Sequence, residues 1–207
     1  ESTYRTMISK HGESIEAKEA LANFLHELGN DRREEALEIW RALAASGEPA
    51  MLLRVSRSLS ARGEYEEGLK LLRPKFEEAK TNPLYLDQLC NLAIRTGEFE
   101  PAVEWSLQRV RLVEDAFDLG PALDQAIRIV SRAQKFDETV ADLKSAERLT
   151  AAEQCLLAEL LQGGGDRDES AVLLAKLEES EPILALAQVV RLKTASGKLP
   201  DAAEALT

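Results

Sequence analysis

The chain has 207 residues, 44% of them hydrophobic, and a formal net charge of −11 at pH 7. A chain of this length and apolar content can bury a core without disulfides or a metal, which disfavours intrinsic disorder. Because binding to nucleic-acid phosphates requires an excess of lysine and arginine, the negative charge argues against a general nucleic-acid surface.

The composition, rich in Leu, Ala, Glu and Arg, favours helix over strand and predicts an all-α protein. The longest apolar stretch near the C-terminus, residues 183–190, contains Gln188 and falls far short of the ~20 residues that cross a bilayer. The sequence therefore predicts no direct membrane span in this segment.

Residues 1–12 lack a clear periodicity and are predicted to form an N-terminal tail or a lead-in helix. A helical repeat domain is predicted over residues 13–207. Its helices are expected at residues 14–28, 32–45, 49–62, 64–80, 83–96, 100–114, 121–134, 137–149, 151–162, 168–179, 182–195 and from 200 onward. They form six predicted hairpins, at residues 14–46, 49–80, 83–115, 121–149, 151–179 and 182–207.

The hairpins are predicted from a repeated turn. Its central residues are Gly63, Gly97, Gln134, Gly165 and Gly197, which are 34, 37, 31 and 32 residues apart. Five residues after each of them stands a small residue, in the order Gly68, Ala102, Thr139, Ser170 and Ala202. A small residue one turn into the second helix of a hairpin lets two helix backbones approach closely.

Proline and capping residues indicate the helix boundaries independently, because proline is tolerated at the first position of a helix and disfavoured in its interior. Four prolines are predicted to open first helices, and two to open second helices: Pro49, Pro83, Pro121, Pro182, then Pro101 and Pro200. Thr150 with Glu153 predicts a capping box where no proline stands. Pro74 lies inside a predicted helix, where it should cause a kink or break.

The pattern resembles the tetratricopeptide repeat over most of the chain. The residues that carry the resemblance best are Gly63-Glu64-Tyr65 with Gly68, Gly97-Glu98-Phe99 with Ala102, and Gly197-Lys198-Leu199 with Ala202. The resemblance implies about six degenerate repeats in an α-solenoid, a right-handed superhelix that binds proteins through a concave face lined by first helices. Related two-helix repeats without the strict pattern are the alternative.

Carried onto this sequence, the resemblance places Arg57, Asn91, Arg128, Glu159 and Arg191 on the concave face. Arg95 and Arg132, one turn further along their helices, extend this row. Guanidinium groups bind carboxylates in a bidentate manner, so the row predicts an acidic peptide or partner surface. In the alternative interpretation the row is self-paired, since Asp87 and Asp124 stand four residues before Asn91 and Arg128.

No residue pattern indicates catalysis, a cofactor or a metal. His11 and His26 stand apart from any recognisable nucleophile or carboxylate constellation, and the glycine run at residues 163–165 lacks the residues that a phosphate loop requires. Cys90 and Cys155 are predicted to be buried thiols. Trp40 and Trp105 have core-facing spacing and are predicted to anchor the packing.

The sequence therefore predicts a non-catalytic interaction scaffold that binds a peptide or protein. The alternative is a structural or self-associating spacer of a larger assembly, such as a bacterial secretion or envelope-polysaccharide export machine. An enzyme is the third hypothesis. Both chain ends look like cuts, so we expect a segment of a longer protein. The lack of a disulfide framework favours a cytoplasmic location, while a periplasmic one would require an upstream signal or anchor.

Overall fold

The computed structural model describes residues 14–195 together with Thr3 and Thr6. Within this part the protein is all-α, with eleven helices if the interrupted fourth helix is counted once. They are α1 (Ile15–Glu27), α2 (Asn30–Ala44), α3 (Pro49–Ser60), α4 (Tyr65–Leu72), α5 (Pro83–Thr96), α6 (Phe99–Arg111), α7 (Ala116–Arg132), α8 (Phe136–Ser145), α9 (Ala151–Gly164), α10 (Arg167–Ser180) and α11 (Pro182–Ala195). The prediction of an all-α chain is confirmed.

The helices pack mostly against their sequence neighbours, within two compact units at residues 1–96 and 97–207. The boundary between the units falls inside the predicted hairpin at residues 83–115. A single repeat domain over residues 13–207 stays a prediction. Two predicted segments lie outside the described residues: the tail at residues 1–12, apart from Thr3 and Thr6, and the last helix from residue 200.

The repeated turn takes one backbone conformation wherever the structure describes it. Gly63, Gly97 and Gly165 have φ values of 80°, 78° and 99°, in the left-handed region that favours glycine. Gln134, which replaces glycine in the third turn, also has a positive φ, of 58°. The alignment of these four turns from the sequence is therefore confirmed.

The small residue that follows the turn is buried at each described position, and at two of them it contacts a neighbouring helix directly. A Cβ atom added to Gly68 of α4 would stand 3.2 Å from Leu92 of α5 and 3.5 Å from the carbonyl oxygen of Ser56 of α3. In α10 the hydroxyl of Ser170 donates a hydrogen bond of 2.8 Å to the carbonyl oxygen of Ala158 in α9. Ala102 and Thr139 are equally buried. Close approach between helices is thus confirmed at Gly68 and Ser170, and burial of the other two small residues is consistent with the same prediction.

The core of the first unit contains large side chains from all five of its helices. Leu25, Trp40, Leu59, Leu72 and Tyr85 are each at most 2% exposed. Burial of such side chains contributes about 1.5–3 kcal/mol each to folding. The prediction that Trp40 anchors packing is therefore confirmed, and the same holds in the second unit for Trp105.

Pro74 breaks the fourth helix, as predicted. The chain forms a 3-10 turn at Arg73–Lys75 and then one further helical turn at Phe76–Ala79. The break removes Phe76 from the usual hydrogen bond to Leu72, and the hydroxyl of Tyr85 donates to the Leu72 carbonyl oxygen at 2.8 Å. Burial raises the pKa of Tyr85 and keeps it a donor. The buried tyrosine thus satisfies a carbonyl that the break in the helix leaves free.

The prediction that Pro121 opens a helix is wrong. It lies inside α7, which begins at Ala116 because the carboxylate of Asp115 accepts a capping hydrogen bond from the amide of Asp118 at 2.8 Å. Proline at position 121 leaves the Phe117 carbonyl without its intrahelical donor. Phe117 is 94% exposed, so water can satisfy this carbonyl.

The capping box at the start of α9 is confirmed. The Thr150 hydroxyl accepts from the Glu153 amide at 3.2 Å, and the Glu153 carboxylate accepts from the Thr150 amide at 2.9 Å. Two amides that have no partner within the helix are therefore satisfied by side chains.

Substituting Thr150→Ala is expected to lower the free energy of unfolding by about 1 kcal/mol, because one first-turn amide loses its acceptor. Urea denaturation followed by circular dichroism measures the change. Ser145→Ala is the matched control, since its exposed hydroxyl bonds only to the Asp142 carbonyl oxygen at the end of α8. Equal losses for the two variants would contradict a stabilising role for the box.

Candidate functional site

In the first unit the predicted row starts with Arg57, which lies exposed on α3 with its guanidinium group out of contact with any described carboxylate. Asn91 is exposed on α5. One turn further along α5, the guanidinium of Arg95 lies over the ring of Tyr65 at 5.4 Å from its centroid. Such a cation–π contact orients the guanidinium and leaves its N–H groups available to an anion.

A neighbouring arginine on α3 is already engaged. The guanidinium of Arg54 donates to Glu19 of α1, at 2.6 Å and 2.9 Å to one carboxylate oxygen, and also reaches Glu16 at 3.4 Å. The sequence analysis did not single out Arg54. It stands three residues before Arg57, yet only Arg54 bonds to α1.

In the second unit Arg128 and Arg132 stand four residues apart on α7, and both are exposed. Residues at this spacing lie on the same face of a helix. Among the described residues, no carboxylate lies within ion-pair distance of either guanidinium. The pairing between Asp124 and Arg128 that the alternative interpretation predicts is therefore not formed, because Asp124 binds another partner.

That partner is Arg191 on α11. Its Nη2 atom lies 2.5 Å from Oδ1 of Asp124, and its guanidinium also donates to both carboxylate oxygens of Glu159 on α9, at 2.9 and 3.0 Å. Gln188 donates to the same Glu159 carboxylate at 3.0 Å. The hydrogen bonds with Glu159, followed by those with Asp124, raise the pKa of Arg191. Arg191 thereby links α7, α9 and α11 and is only 23% exposed.

A separate ion cluster in the first unit escaped sequence reasoning. Glu64, at the start of α4, accepts from Arg33 of α2 at 2.5 and 2.6 Å and contacts Nε2 of His26 of α1 at 3.0 Å. Its side chain is 7% exposed. The hydrogen bonds from Arg33, helped by His26, lower the pKa of Glu64 to about 2. The sequence did not indicate this contact of His26 with a carboxylate 38 residues away.

Trp40 completes this cluster on its apolar side. Its ring lies 5.8 Å from the ring of His26, and the guanidinium of Arg62 lies over it at 5.6 Å. Residues from two helices and one turn meet here, at sequence separations of up to 38 residues. The glutamate in the Gly63-Glu64-Tyr65 turn is the one sequence feature that could have indicated the cluster. No pattern in the sequence predicts which residues bind this glutamate.

The second unit contains a polar cleft and a more apolar groove. A cleft of about 380 Å³ between α6 and α8 has a mixed lining of carboxylates, cations and aliphatic side chains, among them Glu100, Glu104, Arg111, Lys135 and Asp142. Lys135 is bonded to Glu138 at 2.5 Å. A more apolar groove of about 400 Å³ lies between α10 and α11 and is lined mainly by Ala, Leu and Val side chains.

The cysteines and the glycine run occupy structural positions in the described part of the chain. The described residues contain no group of three or more potential metal ligands. Cys90 and Cys155 are buried, as predicted, and burial raises the pKa of Cys155 to about 12. The glycine run ends α9 at Gly165, which caps the helix. This is the C-terminal end, where the helix dipole disfavours anions.

The fold and these sites define an all-helical protein whose helices pack in sequential pairs. No helix in the described part of the chain is long and apolar enough to span a bilayer. No protein-family model matches this chain, and no curated protein sequence matches it significantly.

Proposed function

We propose that this chain is a non-catalytic protein-interaction module of the tetratricopeptide type, in which first-helix arginines bind an acidic segment of a partner protein. The repeat assignment is supported by the positive φ at four aligned turns and by the buried small residues after them. In such an array the first helices line the binding face.

One observation carries the proposal. The chain has an excess of carboxylates, and seven described arginines are bonded to them: Arg32, Arg33, Arg41, Arg54, Arg109, Arg111 and Arg191. Arg57 on α3 and the pair Arg128 and Arg132 on α7 nevertheless stay exposed and unpaired in the described structure. Exposed guanidinium groups without an internal partner are suited to bidentate capture of an external carboxylate.

The second unit offers a matched test of this proposal. Arg148 and Arg167 are also exposed and lack an ion-pair partner among the described residues, but they lie outside the first helices. The double variant Arg128→Ala/Arg132→Ala and the control Arg148→Ala/Arg167→Ala therefore lose the same charge from different faces.

Binding of a fluorescent oligoglutamate peptide is measured by anisotropy at low salt. The double variant Arg128→Ala/Arg132→Ala, called the α7 variant below, is expected to bind the peptide about fivefold more weakly than the wild type. This factor corresponds to roughly 0.5 kcal/mol for each exposed ion pair lost. The control variant should change binding by less than twofold, and salt should reduce the difference. Equal effects of both variants, or binding of oligolysine in place of oligoglutamate, would contradict the proposal.

The same variants identify the natural partner when each is used to capture proteins from a lysate for mass spectrometry. A partner of the proposed kind is retained by the control and lost by the α7 variant. Self-association is the competing function, and light scattering across a concentration series distinguishes it. A monomer at high concentration excludes the self-associating spacer, whereas oligomers that persist in the α7 variant favour it.

A further inference from the structure

The second unit contains an aspartate that should compete for the proposed ligand site. Asp124 and Arg128 stand four residues apart on α7, with the acid nearer the N-terminus. This order and spacing is the favourable arrangement for an ion pair within a helix. Such a pair would neutralise the guanidinium that we propose binds an external carboxylate.

Arg191 removes this competitor. Its Nη2 atom lies 2.5 Å from Oδ1 of Asp124, while its Nε atom holds Glu159 at 2.9 Å. The guanidinium comes so close to α7 that a Cβ atom placed on Gly120 would lie 3.7 Å from Nη1. This distance is an ordinary van der Waals contact, so the Arg191 guanidinium lies against α7 at Gly120.

The bonds to Glu159 fix the guanidinium where it can reach Asp124. Glu159 is 18% exposed, so its carboxylate is held by the fold, and Gln188 binds it as well. Asp124, in contrast, is 60% exposed and lies near the edge of the cluster. The more buried pair thus anchors Arg191, and the more exposed pair orients Asp124 away from Arg128.

We infer that Arg191 is a positioning residue that engages Asp124 and so keeps Arg128 free to bind an acidic ligand. This inference rests on the proposed function. It assigns Arg191 an indirect role, since its Nε and Nη2 donors are occupied by Glu159 and Asp124. It also predicts that substitution of Asp124 compensates for the loss of Arg191.

The test uses the full chain and the fluorescent oligoglutamate peptide. Arg191→Gln is expected to weaken binding by about threefold, because Asp124 then pairs with Arg128 and a positive charge is lost. Arg191→Gln/Asp124→Asn should recover most of this loss, and Asp124→Asn alone should bind at least as well as the wild type. Arg111→Gln is the charge-matched control, since it breaks an ion pair with Glu153 in the same unit.

A purely structural role of Arg191 predicts a different pattern, since removing Asp124 as well cannot then restore binding. Failure of the double variant to recover overturns the inference, as does an equal effect of Arg191→Gln and Arg111→Gln. In an Arg128→Ala background, Arg191→Gln should have little further effect, because the two residues act on one contact.

The outcomes separate this inference from the proposed function. If Arg128→Ala leaves oligoglutamate binding unchanged, the proposed function fails. If Arg128→Ala weakens binding but Arg191→Gln does not, only the role of Arg191 is wrong. Thermal melts confirm folding of each variant. Should Arg191→Gln fail to fold, Arg191→Lys replaces it, because lysine keeps the charge but lacks the fork that reaches two carboxylates. A smaller loss that Asp124→Asn restores is then expected, and no restoration overturns the inference.

Discussion

Substituting Glu64→Gln is expected to lower the free energy of unfolding by about 2 kcal/mol at neutral pH, because it removes a buried charge from its partners. Glu64 is 7% exposed and accepts from Arg33 through both carboxylate oxygens, at 2.5 and 2.6 Å. The expected loss is smaller than for a fully buried pair, since Arg33 is 52% exposed and regains water. Urea denaturation monitored by circular dichroism measures it.

The pH dependence gives this prediction a second readout. The folded structure lowers the pKa of Glu64 from 4.5 to about 2, so its contribution to stability is fully present above pH 4.5. It declines as the pH falls below that value and is lost once the pH passes about 2. The gap between wild type and Glu64→Gln should therefore narrow over this window and be constant above it.

Glu67→Gln serves as the control for both measurements. Glu67 is on the same helix, is 22% exposed, and pairs with Arg41 and Lys70 at 3.1 Å. Its exposed partners limit the expected loss to less than about 1 kcal/mol. If the two glutamine variants are equally stable, or if the Glu64→Gln gap persists at low pH, the cluster does not stabilise the first unit through its charge.

The contrast between Glu64 and the turn that contains it shows what the sequence can predict. Gly63 marks a conformation that few residues other than glycine adopt, so a local rule finds this turn. The spacing of the repeat finds the equivalent turn where Gln134 replaces glycine. The partners of Glu64 come from α1 and α2, at separations of 38 and 31 residues. No local rule fixes which of many arginines meets which carboxylate.

The same limit applies to the candidate site. Sequence spacing places Arg128 and Arg191 on first helices, and it suggests Asp124 as the partner of Arg128. In the structure Asp124 forms its ion pair with Arg191 instead, 67 residues away. Local spacing favours the i,i+4 pair by only ~0.2–0.5 kcal/mol, so packing of α7, α9 and α11 easily overrides it.

Helix boundaries are predicted correctly from a proline except where a side-chain cap upstream competes with it. Pro49 and Pro182 begin helices as predicted, since no earlier cap precedes them. Pro121 does not, because Asp115 caps α7 further upstream and the exposed first turn tolerates the missing hydrogen bond. A side-chain cap visible in the sequence therefore outweighs a proline six residues later.

Gly68→Leu is expected to destabilise the first unit by about 2 kcal/mol or more, through overpacking at the crossing of α4 with α3 and α5. Even a single added carbon would lie 3.2 Å from Leu92 and 3.5 Å from the Ser56 carbonyl oxygen. The backbone oxygen cannot move aside as a flexible side chain can. This cost must exceed the roughly 1 kcal/mol that replacing glycine within a helix gains in propensity.

Two further variants isolate the packing effect. Lys70→Leu introduces the same side chain on the exposed face of α4 and should change stability by less than about 0.5 kcal/mol. Gly68→Ala should be close to neutral, because the propensity gain offsets a contact that the Leu92 methyl groups can relieve. Chemical denaturation measures the free energy of unfolding of the three variants and ranks them by stability. If Gly68→Leu were as stable as Lys70→Leu, close helix approach would not require a small residue after the turn. The packing explanation for the recurrence of small residues at this position would then be wrong.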